Sequence, residues 1–379
     1  MPLDFTSFPG ARTFAGLNTH LRVSRWVPRV LFGVSPIGLG HATRALVLLE
    51  EMERRGAEVR LFSGGKAADF IEKSGVRVDR IVDDSVPWVV DGEMKQAALW
   101  YMRSWVANRR TLPRTRMLLD SYKPDIVVCD EEFSGVVVAG EKGVKRVFIS
   151  DELRLGFART WIARKMEERV ERWYVRLQES VDLLVVPELG DDAGNTRFVG
   201  PIVRPITKSR EETRQAYGLP PGRVVLFAVS GSGIGRELAL KLKGVLSASS
   251  DLRDCSLAVT GNRGARIAGD GVFDLGVVSD NQDLVAASDL VVSTAGKSTI
   301  DEAKSAGTPI VVIPIRHHAE QERNAASLGY SSADADRLAD LVRGKVGRRE
   351  TPAKFSGQTK AADWIFSLLD DGGPPRART

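Results

Sequence analysis

Three times in this chain a continuous apolar run passes directly into a loop of glycine and other small residues and then into a helix-forming stretch. The runs are VLFGV before SPIGLGHATRALVLLEEM, VVLFAV before SGSGIGREL, and DLVVS before TAGKSTIDEAKSA. Unbroken Val/Ile/Leu runs suit strands covered on both faces, as a parallel sheet requires. The pattern predicts an α/β chain of doubly wound parallel sheets. In the first half, strands are expected at Val30–Val34, Glu58–Phe62, Ile126–Cys129, Val144–Ile149 and Leu183–Val186. In the second half they are expected at Val224–Val229, Ser256–Thr260, Leu290–Ser293 and Ile310–Ile313. A helix over Ala42–Arg55 carries Leu46, Leu49 and Met52 at helical spacing and stops at Gly56. Further helices are expected at Arg236–Leu246, Asp283–Ala287, Thr299–Ala306 and Ala361–Leu369.

The 379 residues suffice for about two domains with their own cores. Strand periodicity lapses in FVGPIVRPITKSREE, which sets a boundary near Pro205. The expected division is an extension over 1–29, a first domain over 30–204, a second over 205–350, and a helix with a tail over 351–379. With 43% hydrophobic and 27% charged residues, the composition excludes a disordered or multiply membrane-spanning chain. A net charge of +5 suits anionic ligands or an anionic membrane surface, and no base-reading motif points to nucleic acid. Cys129 and Cys255 lie far apart in apolar runs, which gives no disulfide or thiolate metal site and fits a reducing cytoplasm. No apolar run reaches the ~20 residues that cross a bilayer, and 1–29 lacks a signal-peptide core.

In the first loop, Gly38, Gly40 and His41 fill the turn between strand and helix. Glycines let a backbone approach a ligand, and the following helix aims N–H groups and its positive dipole end into the space above the sheet. His41 would stand at that helix N-terminus, where the imidazolium is disfavoured and a neutral proton acceptor is plausible. A plain capping or core histidine is the competing reading. In the second loop, Ser230, Gly231, Ser232 and Gly233 could cradle a diphosphate, but Arg236 stands where G-x-G-x-x-G needs its third glycine. In the third, Gly296, Lys297 and Ser298 imitate the end of a Walker A loop, yet Val291 occupies the position of its first glycine. A dinucleotide fingerprint and a P-loop are thereby rejected. Glu302, one turn into the third helix, suits a vicinal diol because a carboxylate accepts two hydrogen bonds. Glu320 and Gln321 offer acceptors and a donor that could hold a sugar ring.

These residues resemble a family. GLGHATR, SGSG, and STAGKSTIDEAKSAGTPIVVIP leading to EQERNA look like glycosyltransferases of GT-B fold, specifically the MurG-like group, over roughly Val30–Tyr330. The resemblance implies two Rossmann-like domains facing a cleft, the acceptor on the first and a nucleotide-sugar donor, UDP-linked, on the second. It implies that Glu302 binds the ribose and that Glu320 and Gln321 meet the donor sugar. It further implies that Ser230, Gly231, Ser232, Gly233, Gly296, Lys297, Ser298 and Thr299 approach the diphosphate, and Thr294 and His317 are expected on the donor side with them. Gly38, Gly40 and Arg44 would shape the acceptor side, with His41, Asp130 or Glu132 as base in an inverting displacement of a hexose or N-acetylhexosamine. No metal or other cofactor is expected. Arg44 departs from the proline that follows the histidine in MurG itself, so the muropeptide acceptor is not implied.

The stretch 94–119 sets Trp100, Tyr101 and Trp105 among Arg103, Arg109, Arg110, Arg114 and Arg116, as a helix touching anionic lipid headgroups would. A lipid-linked acceptor and a peripheral place at the inner face of the cell membrane follow as expectations. Packing of the aromatics into the first domain is the competing reading. Two other functions stay open: a nucleotide-sugar hydrolase of the PseG type, which shares a G-x-G-H-x-x-R loop, and a non-catalytic nucleotide-sugar binding module.

Overall fold

The computed structural model describes residues 26–83, 88–90, 93–95, 97–151, 160–228, 235–261 and 266–370. In chain order the first half contains β1 (Arg29–Val34), α1 (Gly40–Arg54), β2 (Glu58–Ser63), α2 (Gly65–Lys73), β3 (Val78–Arg80), the short antiparallel pair β4 (Trp88–Val90) and β5 (Glu93–Lys95), α3 (Ala97–Tyr122), β6 (Ile126–Asp130), α4 (Phe133–Glu141), β7 (Lys145–Ile149), α5 (Trp161–Ser180), β8 (Leu183–Val186) and β9 (Thr196–Phe198). The second half continues with α6 (Arg210–Ala216), β10 (Arg223–Ala228), α7 (Arg236–Ala248), β11 (Cys255–Thr260), β12 (Val272–Gly276), α8 (Asn281–Ala287), β13 (Leu290–Ser293), α9 (Lys297–Ala306), β14 (Ile310–Val312), α10 (Ala319–Ala326), α11 (Leu338–Lys345) and α12 (Gly357–Asp370).

Two parallel sheets result, ordered β3-β2-β1-β6-β7-β8-β9 and β12-β11-β10-β13-β14. Alternation along each strand sends side chains to opposite faces. In the first sheet Val30, Phe32 and Val34 meet Leu48 and Met52 of α1, whereas Leu31 meets the side of α3, α4 and α5 with Leu119, Val136 and Tyr174. In the second, Val225 and Phe227 face Leu242 and Leu246 of α7, while Val224 and Leu226 face Leu284 of α8 and Ile300 of α9. Burial on both faces explains why these strands are continuously apolar.

Helix α1 begins at Gly40, two residues before the expected start, so His41 lies within its first turn. The edge strands β3 and β12 were not expected; β12 is half-buried along its whole length, which gives neither a continuous apolar run nor clean alternation. Between β9 and α6 the chain runs without regular structure past Pro201 and Pro205 until Ser209 and Glu212 form a capping box that starts α6. The last helix, α12, follows the second sheet in sequence but packs Ala361 and Ile365 into the core of the first. Arg55, which caps the C-terminus of α1, holds it through Asp363 at 2.7 Å.

At the middle of the first sheet, a methyl group on Gly33 would stand 2.5 Å from the Phe62 ring and 3.0 Å from the Cys129 sulfur. Gly33→Ala therefore overpacks the core and lowers unfolding stability by about 1–3 kcal/mol. Phe62→Leu in the same chain recovers part of that loss, as chemical denaturation of the single and double variants will register; strictly additive losses would contradict this packing.

Candidate functional site

The carboxyl ends of both sheets face a common cavity of about 280 Å³. Doubly wound sheets place such crevices where the strand order reverses: between β1 and β6 in the first sheet, between β10 and β13 in the second. Helices α1 and α9 enter from opposite sides, and their first turns nearly touch. A Cβ on Gly40 would lie 2.9 Å from the Ser298 hydroxyl. Gly38 turns the first loop with φ +81°, a conformation that glycine adopts without strain.

The first-domain wall is an ionic network. Asp130, at the end of β6 and fully buried, accepts Nε of Arg44 on one oxygen and Nη2 on the other, both at 2.6 Å. The same guanidinium reaches Asp151, just past β7, at 3.0 Å. His41 Nδ1 lies 2.8 Å from Asp130 Oδ1. With Nδ1–H given to the carboxylate, Nε2 is left for the cavity. Burial disfavours the imidazolium, but Asp130 outweighs it and pushes the pKa of His41 up to about 9, with Arg44 opposing. Asp151 is held well below the usual carboxylate range: burial would raise it, and Arg44 and His41 overcome that.

Among the described residues, the second-domain wall comes from the ends of β10 and β11 and from the segments after β12, β13 and β14. Gly296 caps α9, and Gly296, Lys297, Ser298 and Thr299 line the cavity. Lys297 also pairs with Asp301 one turn on. Glu302, 6% exposed, receives Arg204 Nη2 at 2.9 Å and Asn281 Nδ2 at 3.1 Å. Gln321 lines the cavity with its Oε1 tied to the Ile315 N–H at 3.0 Å. Glu320 faces the same space, and burial followed by the nearby Asp151 raises its pKa to about 7.

Several expected residues stand elsewhere. Glu132 is no candidate base: buried, it caps α4 by accepting the N–H groups of Ser134 (2.9 Å) and Gly135 (2.7 Å) together with the Ser134 hydroxyl. Asp130 has both oxygens engaged by Arg44 and His41 and does not line the cavity. His317 does not line the cavity; its neighbour His318 does, its pKa lowered by burial to about 4. Thr294 is buried beneath the loop, not on the cavity wall, and its hydroxyl has no partner among the described residues. Ser230, Gly231, Ser232 and Gly233 lie outside the described residues.

Sequence reasoning missed four groups. Asp151 follows β7 directly, as Asp130 ends β6, and the strand-end position was its available signal. Glu131, between the two acids considered, carries φ +49°, which is strained for a non-glycine residue. Its carboxyl accepts the Tyr174 hydroxyl at 2.8 Å, and burial lifts its pKa to about 7. Arg204 and Asn281 had no pattern to mark them. Among the described residues no cluster of three or more His, Cys, Asp or Glu could hold a metal ion.

With this geometry in view, residues 28–176 match the model of Glycosyl transferase family 1 and residues 272–338 that of the Glycosyltransferase family 28 C-terminal domain. An uncharacterized glycosyltransferase of Methanosarcina mazei is 24% identical, over 92% of this chain and 97% of its own. A UDP-N-acetylglucosamine--N-acetylmuramyl-(pentapeptide) pyrophosphoryl-undecaprenol N-acetylglucosamine transferase of Thermus thermophilus is 25% identical over 85% of this chain and 94% of its own. The solved glycotransferase of kitacinnamycin superposes with a TM-score of 0.61 at 17% identity, covering 91% of this chain and all of that one. The two facing parallel-sheet domains are those of the GT-B fold. The protein is a glycosyltransferase of GT-B type.

Because Glu132 acts on α4 and not on a substrate, Glu132→Ala is expected to lower stability by about 1–3 kcal/mol through the lost cap and the orphaned N–H groups. Turnover per folded molecule stays within a few-fold of wild type. Thermal melts and active-fraction kinetics check both halves, and a loss of about 10²-fold in turnover with the melt unchanged would return Glu132 to the chemistry.

Proposed function

We propose that this glycosyltransferase moves a hexose or N-acetylhexosamine from a nucleoside diphosphate sugar, UDP-linked, to the hydroxyl of a lipid-linked acceptor, and that it is MurG-like in organisation. The observation that carries the reading is the shared cavity, with His41 on one wall and Glu302 beside the α9 N-terminus on the other. The UDP-linked donor and the lipid-linked acceptor follow those of the Thermus thermophilus relative, whose name states both. Glu302 accepts hydrogen bonds from the ribose hydroxyls. Glu320 and the side-chain amide of Gln321 meet the sugar. The diphosphate lies against the first turn of α9, whose free N–H groups and dipole favour an anion.

In the reaction, the acceptor hydroxyl passes its proton to His41 Nε2. Its oxygen bonds to the anomeric carbon, and the bond from that carbon to the diphosphate oxygen breaks, its electron pair leaving with the nucleoside diphosphate. Asp130 stabilises the imidazolium as it forms. The second-domain N–H groups meet the charge on the departing diphosphate. The step as proposed uses no metal cofactor.

The pH dependence has a definite sign. A base must be neutral, and a group titrating near 9 is only about 1% neutral at pH 7. The kcat/KM of wild type therefore climbs with pH towards about 9. His41→Ala loses about 10²–10⁴-fold in rate and flattens that limb. Nucleoside diphosphate release from UDP-sugars, followed across pH with a membrane lipid extract as acceptor source, measures both. An unchanged rate in the variant would remove His41 from the role of base, and fast release with no acceptor present would make the protein a hydrolase.

The lipid acceptor draws on α3. Met102, Trp105 and Val106 are exposed on it, Trp105 to 59%. Arg103, Arg109 and Arg110 are exposed beside them, the Arg109 guanidinium 4.5 Å above the Trp105 ring. Aromatic and aliphatic groups interleaved with arginines suit the headgroup layer of an anionic bilayer. Among the described residues no helix is long and apolar enough to cross a membrane. Sedimentation with phosphatidylglycerol vesicles should capture the wild type at low salt and release the Trp105→Ala/Arg109→Glu double variant; equal capture of both would exclude this face.

A further inference from the structure

The carboxylate assigned to the ribose is held by a residue from outside its own domain. Arg204 belongs to the connecting segment between β9 and α6, and its side chain is 11% exposed. Its Nη2 and Nε both donate to Glu302 Oε1, at 2.9 and 3.2 Å. Its Nη1 donates to the Ser279 carbonyl. Glu302 Oε2 receives the amide of Asn281 at 3.1 Å, and Asn281 is fixed in turn by the Thr260 hydroxyl, which donates to its Oδ1 at 2.9 Å. All four side chains line the cavity.

A carboxylate oxygen carries two lone pairs. Arg204 supplies two N–H groups to Oε1, and Asn281 supplies one to Oε2. Oε2 is thus the atom that keeps acceptor capacity for a ligand hydroxyl. A buried charge is costly unless it is paired, and Arg204 is the guanidinium that pairs with Glu302 at 2.9 Å.

We propose that Arg204 is a positioning residue for donor recognition, holding Glu302 by Oε1 so that Oε2 is presented to a ribose hydroxyl. This rests on the reading of Glu302 as the ribose acceptor. It also gives the connecting segment a role in binding. A Cβ on Gly357, at the start of α12, would lie 2.4 Å from the carbonyl oxygens of Gly200 and Pro201, so that segment is pinned against a helix packed on the first sheet. Recognition of the nucleotide by the second domain then depends on an arm anchored beside the first.

The test is calorimetric binding of UDP and of 2′,3′-dideoxy-UDP, which lacks both ribose hydroxyls, to the full chain. Wild type is expected to favour UDP by about tenfold or more, the worth of a hydrogen bond to a charged group. Arg204→Met weakens UDP binding by a similar factor and brings the ratio of the two affinities close to one, with dideoxy binding little changed. Arg204→Lys, which keeps the charge without the fork, lies between them. Glu302→Gln separates the possible failures. If it abolishes the preference while Arg204→Met and Arg204→Lys leave it intact, Arg204 does not position Glu302. If wild type shows no preference, or Glu302→Gln retains it, the ribose reading of Glu302 falls and takes this inference with it. Melting temperatures of the three variants identify a loss of folding, and Arg204→Lys carries the test should Arg204→Met not fold.

Discussion

The first half of the active cavity depends on one buried guanidinium. Asp130 ends a central strand with no solvent to hydrate it, and an unpaired carboxylate there would cost several kcal/mol. Arg44 meets both of its oxygens and extends to Asp151, so one side chain of α1 fastens the ends of β6 and β7 to the helix that carries His41. Removing one partner of such a cluster leaves the others buried and uncompensated, which is the expensive failure for ionic groups in an interior. The geometry of this wall is therefore inseparable from folding of the first sheet. His41 lies three residues from Arg44 on the same helix and shares the same aspartate, so its position and its ionisation have a common cause.

The opposite wall follows a different plan. There the main resources are backbone N–H groups at the start of α9 and side chains whose polar atoms are already half committed. Gln321 has given its carbonyl oxygen to the Ile315 amide, which leaves the NH₂ for a ligand. Glu302 is held through Oε1. Each group thus reaches the cavity with fixed polarity, donor or acceptor, and little rotational freedom. Such pre-organisation is what discrimination among hydroxyl patterns requires, because a side chain that can rotate will satisfy either pattern.

Much of the fold was legible because its central strands are covered on both faces. Leu183–Val186 and Leu290–Ser293 agree with the expected bounds, and the other central strands agree to within one or two residues. The edge strands β3, β9 and β12 escaped, and a half-buried strand such as Val272–Gly276 carries no periodic signal. In the site, local residues such as His41, Gly296 and Glu302, expected from their place after a strand, line the cavity. Asp130 was expected to face it and stands instead against Arg44 and His41, because a strand-end acid looks the same in sequence whether it faces a cleft or a buried arginine. Glu132 was misjudged for a related reason: an acid before Phe-Ser-Gly can cap a helix or face a cleft, and only the hydrogen bonds from Ser134 and Gly135 decide. Arg204 and Asn281 act through contacts 98 and 21 residues distant in sequence, which no motif records.

The two walls also differ in how they answer to pH, and the difference bears on how the cavity works. His41 has its pKa raised to about 9 and Glu320 to about 7, so at neutral pH an imidazolium on one domain faces a partly ionised carboxyl on the other. Opposite charges across a low-dielectric cleft attract more strongly than in water, and that attraction grows as the pH rises through 7 and Glu320 ionises. Arg44, whose charge opposes the imidazolium, sits beside His41 and favours loss of its proton, while Asp130 favours keeping it. The guanidinium that fastens the first sheet is in this way also a group that tempers the hold of Asp130 on the His41 proton.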